Sequence, residues 1–229
     1  GIGNMSDRKL LVLGGLAGLG YGVLEVAGVV VGGASNPVPY DVFPSAAAAA
    51  RIAATPMPVG VWVGFGLEVI STLLLVAFMV RATSAVRRAD GHGLLATSAL
   101  AAGLVSVAAV FVSFGIMAAR YAGAGHGLDG QSVTLLAYLN WGSYFLSWPG
   151  AAMFLGLLAA AAIRTHALPA WLGWAGVAVA CAGLLGCLDP VNLGQLAQLL
   201  PILWIPAAGV ALAIRRTTAT DSAAIMIPA

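Results

Sequence analysis

Charge is nearly missing from this chain. Of its 229 residues only 8% are Asp, Glu, Lys or Arg, against about a quarter in a soluble domain, and so few charges could not wet the surface of one or two soluble domains. Disorder is excluded as well, because disordered chains are poor in apolar residues and this one is 61% hydrophobic. Ten Lys and Arg against eight Asp and Glu leave no basic excess, and nucleic acid is not expected as a partner. Cysteine is equally sparse. Cys181 and Cys187 stand six apart in one apolar segment, without CxxC or metal-ligand spacing, and read as inert buried thiols. His92, His126 and His166 fall in connections on different sides of the chain's apolar runs, so neither a three-histidine metal site nor any other cofactor is expected. The only lysine, Lys9, precedes those runs.

Long apolar runs are what the sequence has in abundance. A bilayer core of about 30 Å requires about 20 apolar residues per helix, and six runs of roughly that length are bounded by Arg, Lys, Pro or polar clusters, at 10–32, 59–80, 94–119, 136–163, 171–188 and 196–214. The fold expected is all-α, a polytopic six-span transmembrane bundle. In that arrangement Arg8, Lys9, Arg81, Arg87, Arg88, Arg164, Arg215 and Arg216 fall on one side and only Arg51 and Arg120 on the other. Positive charge gathers on the cytoplasmic side, which places both termini there, in a multi-pass protein of the inner (cytoplasmic) membrane. The reading divides the chain into a cytoplasmic N-terminus at 1–9, a single transmembrane domain at 10–214 and a cytoplasmic tail at 215–229. Residues 1–4 read as a cloning remnant ahead of Met5, and the first run as a retained span, since Glu25 interrupts it. The connection at 33–58 is an exterior loop or cap. Within it Ser45, five alanines and Arg51 predict a capped short helix ending before Pro56.

Thirty glycines suit helices that pack closely in lipid. Gly14, Gly18 and Gly22 recur every fourth residue, Gly28 and Gly32 continue the series with an offset, and Gly60 and Gly64 repeat it in the second span. Such faces serve either contacts within the chain or a homo-oligomer.

Two acids lie inside the spans. Glu25 is eight residues before Gly33 and Glu68 nine after Val59, which at 1.5 Å per residue puts both about 12 to 14 Å below the exterior boundary. Intramembrane acids turn toward protein or water and mark functional sites or buried hydrogen bonds. The outer half of span 4 is the most polar and aromatic stretch of any span. Asn140, Ser143 and Ser147 share one helical face, and Trp141, Tyr144 and Trp148 run alongside at the same spacing. They suit a cavity wall or, alternatively, interfacial aromatics with helix-to-helix hydrogen bonds. Pro149 is expected to kink the helix just below them. Trp62 lies near the outer boundary, and Arg120 is a counter-ion for a Glu, a site for an anionic headgroup, or a solvated span end.

Three stretches resemble the uncharacterised six-span bacterial membrane proteins grouped as a domain of unknown function in actinobacteria. They are Ala49, Arg51 and Ile52 before the second span, Leu168 to Trp174 before the fifth, and Leu203, Trp204 and Gly209 in the last. The resemblance covers about half the chain in scattered form and implies six spans without implying an activity.

The favoured function is binding of a small apolar or amphipathic, lipid-like ligand in an outer-leaflet cavity lined by spans 1, 2 and 4. Glu25 and Glu68 are its polar, candidate catalytic centre, and Trp62, Arg120, Asn140, Trp141, Ser143, Tyr144, Ser147 and Trp148 are candidate ligand contacts. The alternatives are an intramembrane enzyme that protonates a lipid or isoprenoid, a proton-coupled transporter, and a structural partner of another membrane subunit. Membrane lipids are partners under every reading.

Overall fold

The computed structural model describes residues 2–38, 42–89, 93–189 and 193–225, with side chains over 12–38, 42–87, 93–189, 193–195 and 197–214. These residues form eight helices, α1 (Ile2–Ser35), α2 (Ala46–Ala54), α3 (Val59–Ala89), α4 (Leu94–Gly123), α5 (Gly130–Phe145), α6 (Ser147–Thr165), α7 (Ala170–Gly186) and α8 (Leu193–Ile225), and contain no strand. A helix satisfies every backbone polar group internally, which is the requirement a bilayer interior imposes.

Five stretches are long and apolar enough to cross a membrane, namely Val12–Ser35, Val59–Arg87, Leu94–Gly123, Gly130–Thr165 and Leu193–Ile214. The run expected as a fifth span forms α7, a helix of 17 residues, about 25 Å long. It lies between α6 and α8, with Gly173 against Ile163 at one end and Gly186 against Gly194 at the other. Helices α3 and α8 overrun the sequence boundaries because no proline or glycine stops them where the apolar runs end, and α1 runs past both of its own, from Ile2 through Gly32 and Gly33 to Ser35. Residues 2–9 are therefore helical, and α8 continues to Ile225. Of the residues used for sidedness, Arg8, Lys9, Arg88, Arg215 and Arg216 have side chains outside the described residues, as His92 lies outside them altogether.

The short helix α2 starts where Ser45 predicts, the hydroxyl accepting from the Ala48 N–H at 3.3 Å. Span 4 is two helices. Pro149 cannot donate to the Phe145 carbonyl four residues earlier, so the discontinuity falls at Leu146, before the proline and not below it. Across the break Ser147 donates its hydroxyl to the neighbouring Tyr144 carbonyl at 2.6 Å.

The six long elements close a ring in the order α1, α3, α4, α6, α7, α8 and back to α1, while α5 and α2 pack together outside α4. The exposed face of α1 carries Val12, Leu16, Leu19, Val23, Val26 and Val30. Its glycine faces are consumed inside the chain. Gly15, Gly18 and Gly22 meet Gly209, Ile205 and Pro206 of α8, and Gly28 and Gly32 meet Gly64 of α3.

The apolar core fills one half of this ring. Ala17 and Tyr21, Phe78 to Val86, Ala96 to Val107, Phe154 to Ala162, Leu172 and Trp204 to Ala208 all lie toward the end that carries Arg81, Arg87 and Arg164, here the basic end. At the far end a small cluster of Ala49, Ala53 and Val133 packs between α2 and α5, and Val61, Phe114, Tyr121 and Trp148 are buried as well.

Candidate functional site

A polar layer adjoins the apolar core on the side away from the basic end. On α1, Tyr21 and Glu25 are one turn apart on the inward face, and Gly28 follows one turn later. Because Gly28 has no side chain, α3 comes so near that an added methyl would meet Glu68 Cγ at 2.7 Å and the Gly64 carbonyl at 2.9 Å. That approach brings the two acids into one layer. Ser71, fully buried on α3, hydrogen-bonds Glu25 Oε2, and Glu68 lies within electrostatic range of Glu25. Both glutamates are half-buried.

Ser71 is also 2.9 Å from the Glu68 carbonyl, which accepts a second bond from the Thr72 hydroxyl at 3.0 Å. A serine hydroxyl has one proton to give. If Ser71 donates to the Glu68 carbonyl, Glu25 must carry the proton in the bond between them. If Glu25 is ionised, Ser71 turns to it and Thr72 alone serves the carbonyl. The layer therefore accommodates either form of Glu25 by rotating one hydroxyl.

The polar stripe of span 4 makes hydrogen bonds of the kind named in the second of its two readings. Asn140 accepts from the Ser113 hydroxyl of α4 at 2.7 Å, and Ser147 is committed to the helix break, so two of the three polar residues join helices. Ser143 is half-buried on α5. Trp148 is 1% exposed and is a core side chain. Its ring meets Trp141, Tyr144 and Phe145 edge-on, at centroid distances of 5.6, 6.1 and 5.4 Å, and fills the space that glycine leaves at position 194. Trp141 also meets Phe43 of the connection before α2 at 6.2 Å. Only Tyr144 reaches toward the acids, through electrostatic contact with Tyr21.

A third group lies at the far end between α3 and α4. Trp62, Phe65, Phe114 and Tyr121 meet edge-on at 5.6 to 6.3 Å. Beside them Arg120 is 5% exposed, with its guanidinium carbon 5.5 Å from the Tyr121 ring centroid. It is not the counter-ion of either glutamate, since neither interacts with it.

The sequence-predicted residues thus fall into an acid layer, an aromatic pivot at the break in span 4, and a far-end aromatic group with Arg120. Sequence reasoning missed Tyr21, Ser71 and Thr72. The available signal was their spacing, four before Glu25 and three and four after Glu68, which sets each on its acid's helical face. Two surface depressions, lined respectively by Ala53, Gly125 and Leu128 and by Asp129, Thr134 and Tyr138 among others, lie between α2 and the start of α5 and do not include the acids. No three His, Cys, Asp or Glu side chains converge among the described residues. No protein family, no curated protein and no solved structure matches the chain.

Proposed function

We propose that the chain is a six-span protein of the inner membrane, with both termini cytoplasmic, that binds one small lipid-like molecule in the half of the bundle facing the exterior. The observation carrying this reading is that Tyr21, Glu25, Ser71 and Glu68 gather in one polar layer inside the bundle, and that Phe65, Ser143 and Tyr144 beyond it stay half-exposed. A polar floor beside half-exposed aromatic side chains suits an amphipath, whose polar group bonds the floor while its body lies along those rings. The break in span 4 contributes, because it lets α5 lean on α4 and α2, away from the ring that α6 continues. Close packing below the floor favours binding over transport, since it offers no polar route to the basic end. In the six-span reading α7 crosses with its 17 residues, and Trp171 and Trp174, both exposed, anchor its start at the interface.

Native mass spectrometry of protein released from mild detergent tests the reading. A lipid-sized adduct at one per chain is expected on the wild type, and the double variant Glu25→Gln, Glu68→Gln should lose it. A wild type without adduct, or an adduct retained undiminished by a folded double variant, would overturn the proposal.

A further inference from the structure

Arg120 occupies an unusual place. On α4 the buried polar residues Ser106, Ser113 and Arg120 repeat every seventh residue, which keeps them on one face. Ser106 meets α6 at Gly150, and Ser113 bonds Asn140 of α5. Arg120 is the next place on that face, above Asn140, and its guanidinium carbon lies over Tyr121, whose ring turns toward Trp62 and Phe65 of α3. The side chain is thereby set near the aromatic group between α3 and α4, on the exterior side of the acid layer. Its Nε is buried and has no hydrogen-bond partner among the described residues. A buried guanidinium is permanently charged and offers five donors in a planar fork, and leaving it without an acceptor is costly.

We infer that Arg120 receives the anionic group, a phosphate or carboxylate, of the molecule held in the far half. The inference rests on the binding reading and narrows it to an anionic amphipath. Tyr121 meets Phe65 edge-on one turn above Glu68, so the anion sits one to two turns above the acid layer. A second group of the same ligand, a hydroxyl or other hydrogen-bond donor, then faces Glu25, Glu68 and Ser71. Donor fork above and acceptors below define a headgroup with an anion and a neutral donor in series. A planar fork also matches two oxygens of one anion at once, which an ammonium does not.

The test uses the full-length protein in detergent with lysophosphatidylglycerol, lysophosphatidylcholine and inorganic phosphate as probes, binding being read by native mass spectrometry and folding by melting temperature. The wild type should retain the glycerol lipid over the choline lipid by at least about tenfold, R120Q should lose that preference, and R120K should keep part of it. Displacement of the lipid by inorganic phosphate identifies the bare anion as sufficient, and its failure to displace assigns the site to a lipid headgroup; either result supports the inference. Equal retention of the two lipids by the wild type, a result that stands even if R120Q does not fold, overturns it. So does a folded R120Q with unchanged preference. If lipid is retained without charge preference and is lost in the Glu25→Gln, Glu68→Gln variant, the binding reading stands and the Arg120 inference falls. If the wild type retains neither lipid, both fall.

Discussion

Replacing Gly64 by alanine should separate α1 from α3. A methyl built there lies 2.5 Å from both Cα and N of Gly32 and 2.7 Å from the Gly28 carbonyl, where ordinary contact begins at 3.4 Å. All three atoms are backbone, so no rotamer change relieves the overlap and the helices must move apart by about 0.9 Å. Overpacking of this kind costs about 1 to 3 kcal/mol, and in this case the displacement also pulls Glu25 away from Ser71, forfeiting part of a hydrogen bond worth about 1 kcal/mol. The built-in control is Gly66, two residues along the same helix, where an added methyl meets nothing within 4 Å. Gly66→Ala removes a glycine from a helix interior and should be neutral or stabilising by up to about 1 kcal/mol. Reversible unfolding in mixed SDS and dodecylmaltoside micelles measures both. A difference between the two variants below about 0.5 kcal/mol would refute the claim that backbone contact at Gly64 holds the acid layer together.

Two further outcomes are expected. Trp148→Ala should cost about 3 to 5 kcal/mol, the range for deleting a buried aromatic, and Gly194→Ala should also destabilise, because its methyl would fall 2.0 Å from the same ring; unfolding midpoints that stay at the wild-type value would contradict the packing described. Asp129 caps α5, and the Ser132 N–H bonded to its carboxylate at 2.6 Å holds that carboxyl below its ordinary range. A lowered folded value means that the stabilisation is present above the unfolded value near pH 4 and disappears as pH falls through the folded one, so hydrogen-exchange protection of the Ser132 amide, compared with Asp129→Asn, should persist to about pH 4 and then converge with the variant.

How far the molecule could be read in advance depended on which coordinate was asked for. Depth along the bilayer normal follows from counting residues, and the common layer of Glu25 and Glu68 came from that count alone. The capped helix after Ser45 was legible because its hydroxyl and the alanine run act within one turn. Direction around each helix axis was not legible. The polar stripe of span 4 could face a cavity or a neighbouring helix, and periodicity is the same in both cases; Ser113 on α4, far away in sequence, decides for Asn140. Ser71 escaped notice for a related reason, since a serine in an apolar span satisfies its own helix carbonyl more often than it reaches across, and here it does both. Pro149 announced a break, but which side of the proline would yield depended on which carbonyl lost its donor.

The ring is closed by its first and last members. Gly22 of α1 is covered by Pro206 and the Ile202 carbonyl of α8, residues made 184 and 180 positions later. At about 5 to 20 residues per second the ribosome needs roughly ten to forty seconds to supply them. During that interval α1 can bury its Gly28 and Gly32 side on α3, and Gly18 on Phe78, while Gly15 and Gly22 wait for the α8 residues that cover them. The nascent protein therefore spends most of its synthesis as an open arc with a glycine-lined edge, and whatever holds that edge, lipid or insertion machinery, must let go when α8 arrives.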